Sequence, residues 1–221
     1  MNINTVRIKA NAYVLCNSVF YKADDSVCKK EFKFVKGINV LRGEIDSGVW
    51  AVSYLLSMYG ENTITEDDYG IILNEPVELI VNGENMNVKE FAKFSCYLDE
   101  EIYPLFTSNK SVREVVEDSI NDNKLGYSPD YIKNLFKIDS ERFERPLRCL
   151  GNERFQAMAA IGFVNNKKVF CFPWLSSRRF NYYRYRIKIL CRVLKKLGMI
   201  VILPIGTRTA KDLLLGRFIK Y

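Results

Sequence analysis

Histidine is absent from all 221 residues. That absence excludes imidazole acid–base catalysis, Ser-His and Cys-His nucleophile pairs, and nearly all mixed Cys/His zinc sites. The six cysteines, at 16, 28, 96, 149, 171 and 191, are widely spaced and form no CxxC. Most stand in apolar runs, as reduced structural cysteines do. No metal site and no cofactor-attachment motif emerges. No apolar run approaches the roughly 20 residues needed to cross a bilayer. The N-terminal stretch MNINTVRIKANAYVL alternates like a strand and lacks the basic start and apolar block of a signal peptide. A cytoplasmic location is therefore expected. With 48% apolar and 27% charged residues, the composition is that of a globular domain and excludes a disordered tail.

The net charge of +7 is unevenly placed. Arg178, Arg179, Arg184, Arg186, Lys188, Arg192, Lys195 and Lys196 stand within one stretch that holds no acid. Such a block suits nucleic acid, anionic lipid or an acidic protein surface, or it is simply a solvated helix face.

Period-two alternation through Val6–Lys9, Tyr13–Leu15, Ser18–Tyr21 and Phe32–Phe34 predicts an antiparallel sheet that feeds a buried strand at Ile38–Leu41. A loop with two glycines, 42–48, precedes a helix over Val49–Met58. A strand pair, Gly70–Leu73 and Glu78–Val81, closes on an Asn82-Gly83 turn. Helices are predicted over Val112–Ile120, Pro129–Phe136, Asn152–Phe163 and, strongly basic, from about Tyr182 to Leu197. Val169–Phe172 and Met199–Leu203 read as strands buried on both faces. Gly151 should serve a helix start, with Asn152 as N-cap and Glu153 in the first turn. Pro173 and Pro204 are each expected to end a buried strand.

Gly43 and Gly48 keep the glycine spacing of a phosphate-binding loop between a strand and a helix. Val49 and Trp50 stand where that loop carries its lysine and hydroxyl. Further pieces follow in order: Leu79–Asn85, Ser95–Asp99 with Pro104–Thr107, Arg145–Ala160, Val169–Ser177 and Met199–Ile205. Together they resemble the ATP-binding subunit of ABC transporters over nearly the whole chain. The resemblance implies an α/β, ABC-ATPase-like P-loop fold with an N-terminal antiparallel β subdomain and a helical subdomain. Residues 1–221 would form a single domain: core and β subdomain from about 1–95 and 165–221, and helical subdomain from about 100–164.

Carried over position by position, the family's chemistry is missing. The P-loop lysine matches Val49, the magnesium-binding hydroxyl Trp50, and the Q-loop glutamine Asp99. The signature serine matches Leu150 and its second glycine Asn152, with Gly151 and Glu153 retained. The Walker B aspartate matches Pro173, the catalytic glutamate Trp174, the switch histidine Ile205, and the D-loop aspartate falls near Phe180. Phosphoryl transfer rests on positioning and charge stabilisation, and loss of one well-placed stabiliser typically costs roughly 10²–10³ in rate. No hydrolysis and no bound cofactor are expected. Trp50 and Trp174 read either as ordinary core or interface aromatics or as plugs for the vacated phosphate site.

What the resemblance then implies is a non-catalytic pseudo-ATPase subunit of an ABC-type transporter. It would pair with an active ATPase subunit, as hetero- or homodimer, or dock on a membrane permease. Docking would use aromatics around Tyr97, Tyr103, Pro104, Leu105 and Phe106. The alternative is an ABC-like protein that binds nucleic acid or ribosomes through residues 178–196, with Tyr182, Tyr183 and Tyr185 interleaved.

Overall fold

A computed structural model describes residues 1–10, 12–16, 19–20, 30–44, 49–57, 71–73, 78–98, 108–208 and 217–220. Strands β1 (Thr5–Ala10), β2 (Ala12–Cys16), β3 (Val19–Phe20), β4 (Lys30–Val35) and β5 (Gly37–Arg42) come first. Helix α1 (Val49–Leu56) precedes β6 (Ile71–Leu73), β7 (Glu78–Val81) and β8 (Glu84–Asn85). Helix α2 (Val88–Ala92) and strand β9 (Ser95–Tyr97) lead to α3 (Val112–Asp122), α4 (Pro129–Phe136), α5 (Ser140–Phe143) and α6 (Arg154–Val164). Strand β10 (Val169–Cys171), helix α7 (Ser177–Lys196), β11 (Ile200–Ile205) and β12 (Arg217–Lys220) follow.

The strands form a five-stranded parallel sheet in the order β12–β5–β11–β10–β9 and a four-stranded antiparallel sheet β4–β1–β7–β8. A smaller set, β3–β2–β6, is antiparallel. Consecutive strands β4 and β5 belong to different sheets, and the switch is made within two residues. Buried Asn39 holds that corner: its amide donates to the Val35 carbonyl at 2.8 Å and to Val201 of the neighbouring strand at 3.1 Å. Its Oδ1 accepts from the Val35 N–H at 3.2 Å. Every polar atom of the side chain is thus used where a bare bend would leave backbone groups unpaired.

Central strands β10 and β11 are buried at every residue, which is why their sequences are apolar without alternation. One face packs Val40, Phe170, Val201 and Leu203 against helices α3–α7. The other packs Leu41, Val169, Cys171, Ile200 and Ile202 against α1 and the antiparallel sheet. Cys96, Cys171 and Cys191 are buried thiols that form no disulfide, while Cys149 is exposed. Burial pushes the Cys191 thiol up to about 12 and Cys171 higher still, so both act as core side chains.

The helical layer forms where its caps predict. Ser111 and Glu114 make a reciprocal capping box on α3, and Ser128 accepts from the Tyr131 N–H with Pro129 in the first turn of α4. Four local expectations are corrected. Strands β6 and β7 do not pair with each other; β6 pairs with β2, and β7 pairs with β1 and, across the Asn82-Gly83 turn, with β8. Positive φ at both turn residues, 53° and 95°, suits that tight hairpin. Helix α7 begins at Ser177, with Ser176 accepting from the Arg179 N–H, so it starts five residues before Tyr182. Pro204 lies inside β11 rather than ending it. There its carbonyl accepts from the Leu175 N–H at 3.1 Å. Phe180, matched to a loop aspartate, is a fully buried residue of α7.

Candidate functional site

At the carboxyl ends of the parallel strands three chain segments meet. The Gly43 N–H, just past β5, donates to the Ile205 carbonyl at 3.0 Å. Leu175, four residues past β10, bridges to Ile205, and the Gly206 N–H returns to the Leu175 carbonyl at 3.0 Å. Across these segments lies half-buried Trp174, whose indole N–H donates to the Gly43 carbonyl at 2.9 Å. A Cβ on Gly206 would lie 3.7 Å from the same indole and 3.4 Å from Ser177.

Helix α1 is tied to this end of the sheet from beneath. Buried Ser53 donates to the Phe172 carbonyl at 2.6 Å, and Ser57 donates back to Ser53 at 2.7 Å. Phe172 in turn donates its N–H to the Ile202 carbonyl at 2.9 Å. Val49, the first residue of α1, is fully buried in the second core.

The loop after Gly43 is also clamped to the turn after β11. The Arg42 guanidinium donates to the Thr207 carbonyl. The Glu44 carboxylate accepts from the Thr207 N–H at 3.1 Å and from its hydroxyl. The hydroxyl first, and then the backbone N–H, hold the Glu44 carboxyl below the usual carboxylate range. Sequence reading missed Glu44 and Thr207. Neither residue type stands out locally, and they are 163 positions apart.

A second cluster forms at the start of α6. Leu150 is fully buried, and its carbonyl accepts from Arg142 at 2.7 Å. Gly151 has a φ of 53° and opens a short 3₁₀ turn over Gly151–Glu153 that runs into the helix. Asn152 is therefore not the N-cap. Glu153 occupies that place without capping, because its carboxylate is used elsewhere. Only 1% exposed, it pairs with Arg186 of α7 at 2.6 Å and accepts the Asp139 N–H at 2.8 Å. It is a buried tie between α6, α7 and the preceding turn.

Of the other residues singled out by sequence, Gly48, Asp99, Tyr103, Pro104, Leu105 and Phe106 lie outside the described residues, as does the side chain of Trp50. Tyr97 is a correction. It is 6% exposed in strand β9, packed in the core between the parallel sheet and α1, and offers no exposed anchor. Pro173 is buried two residues past β10, beside Trp174.

No family model matches the chain, and no curated protein matches it. By shape it matches the solved structure of an ABC transporter ATP-binding protein from Pyrococcus furiosus, with a TM-score of 0.60. The match covers 98% of this chain and 96% of that one at 15% identity. The fold is ABC-ATPase-like. In that ABC-ATPase-like frame Gly43 is hydrogen-bonded to both Trp174 and Ile205, while Leu150–Glu153 form a separate cluster at the start of α6, tied to α7 through Glu153. Buried Val49 stands at the head of α1, and an indole takes the Gly43 carbonyl. Two opposite charges flank that turn, the Arg42 guanidinium and the Glu44 carboxylate, both held on Thr207.

Proposed function

We propose that this chain is a non-catalytic, nucleotide-binding-domain-like subunit of an ABC-type transporter. It pairs with an active ATPase subunit, docks on a membrane permease, or does both, at the cytoplasmic face of the membrane. In this reading Gly43, Gly48, Val49 and Trp50 are a P-loop without lysine or hydroxyl, and Asp99 is a Q-loop without glutamine. Pro173 and Trp174 replace the Walker B carboxylates, Ile205 replaces the switch histidine, and Leu150–Glu153 are a signature that keeps only Gly151 and Glu153. Residues 103–106 are the docking segment.

The observation that carries this reading is the Trp174 indole on the Gly43 carbonyl. A group that must polarise water or hold metal is a carboxylate or histidine; an indole N–H is a donor only and holds neither. It ties the strand-to-helix turn to the segment after β10 by itself. Fold and surface then remain as the working parts, which suits a partner subunit. None of the described helices is long and apolar enough to cross a membrane.

The test is co-purification of the tagged chain, expressed from its own genome, with a permease or an intact ABC ATPase identified by mass spectrometry. Recovery of either in stoichiometric amount, with no Mg-ATP hydrolysis by the chain alone, is expected. Recovery of neither overturns the partner reading. A tight, magnesium-dependent rise in Tm with ATP overturns the non-catalytic one.

A further inference from the structure

At its N-terminal end the charge on α7 works against the helix that carries it, while Lys195 and Lys196 in the last turn suit the dipole. Arg178 and Arg179 stand in its first turn, which contains no acid. Positive charge there opposes the helix dipole. Arg184, Lys188, Arg192 and Lys196 repeat at i,i+4, a like-charge spacing that also opposes the helix. Among the described residues, only Arg186 of the eight basic side chains has a carboxylate partner, Glu153. A merely solvated face would be expected to intersperse acids along the same spacing.

Geometry sorts the aromatics of the segment. At 3.6 residues per turn, Arg178, Tyr182, Tyr185, Arg192 and Lys196 fall on one stripe. Tyr182 is 69% and Tyr185 72% exposed. Tyr183 turns the other way, edge-on to Phe155 at 5.4 Å, with its hydroxyl accepting from Arg154 at 3.0 Å. Phe180, Ile187, Leu190, Cys191 and Leu194 lock the opposite face into the core. Half-buried Ile189 is the one aliphatic residue on that stripe, so no continuous apolar face is left to enter a bilayer, and a membrane would meet mainly charges and two phenol rings. Single-stranded nucleic acid meets both features at once, phosphates on the cations and bases on the exposed rings.

We propose that the outer stripe of α7, with Tyr182 and Tyr185 between Arg178, Arg192 and Lys196, binds single-stranded nucleic acid without sequence preference. This does not depend on the transporter reading; either can fail alone.

The test is fluorescence anisotropy with a fluorescein-labelled mixed-sequence oligonucleotide of about 20 nucleotides, as RNA and as DNA, titrated from about 50 to 200 mM salt. The full chain is expected to bind with log affinity falling linearly against log salt. Replacing Arg178→Gln, Arg192→Gln and Lys196→Gln together should lower the slope by about 2, at roughly 0.7 per phosphate contact. Tyr182→Ala and Tyr185→Ala should each weaken binding roughly tenfold with the slope unchanged. All five side chains are exposed, and circular dichroism checks that the fold is kept. No binding at the lowest salt, an unchanged slope in the triple variant, or unchanged affinity in both tyrosine variants overturns the proposal. Tighter binding to phosphatidylserine vesicles or polyglutamate, with the same losses, also overturns it and reassigns the stripe to lipid or to acidic protein.

Discussion

Trp174 is the residue on which the site turns, and its two contributions separate by substitution. Trp174→Phe keeps a ring but leaves the Gly43 carbonyl without its indole donor. The expected loss is about 1 kcal/mol, that of a partly buried hydrogen bond. Trp174→Ala removes the ring as well and, because the side chain is only half-buried, should cost less than the roughly 3–5 kcal/mol of a fully buried Trp→Ala. Urea unfolding of the two variants reads the difference; equal losses would show that the ring contributes nothing. Glu44 gives a pH signature. Its folded-state pKa is lowered by Thr207, so its stabilising effect is full above the ordinary glutamate value of about 4.3 and is lost as pH falls through the lower folded value. Glu44→Gln should therefore destabilise the chain at neutral pH, with the gap to wild type closing on acidification. A gap that widened in acid would contradict the assignment. Gly43 was singled out in sequence by its spacing to Gly48, which lies outside the described residues; the Glu44–Thr207 clamp was not, because it exists only after distant strand ends are brought together.

Element by element, legibility followed local signals. Helix α4 was read to the residue because Ser128-Pro129 announces its start. The start of α7 was missed because its cap, Ser176, is followed by two arginines that argue against a helix N-terminus. Strands β6 and β7 were taken as neighbours because adjacency in sequence is the only cue available there, whereas β7 is pinned by β1 in a sheet that does not contain β6. The same α7 supports two opposed predictions. Arg186→Ala strips the partner from buried Glu153, and leaving a buried charge unpaired costs roughly 3 kcal/mol or more. Arg178→Glu, on the exposed first turn, should instead stabilise by about 0.3–1 kcal/mol through the helix dipole. Thermal melts of both variants, one falling and one rising, would separate a structural cation from one kept for a purpose other than folding.

For the molecule as a whole, the parallel sheet is the shared wall of two cores, and this made its strands the most legible part of the sequence. Residues buried on both faces leave a continuous apolar run, as in Ile200–Leu203, that no surface strand shows. Which face each residue serves was not legible, since period-two alternation vanishes when both sides are apolar. The structure resolves it: Leu203 packs with the helical layer, and its neighbour Ile202 packs with α1 and the antiparallel sheet. Both are fully buried, so Leu203→Ala and Ile202→Ala should each cost about 2–5 kcal/mol. Because one strand serves both cores, neither layer should survive loss of the other. Each variant should unfold in one transition that coincides by tryptophan fluorescence and far-ultraviolet circular dichroism. A split transition in Leu203→Ala, with the antiparallel half persisting after the helices melt, would mean that the two cores stand independently and that the sheet is only their boundary.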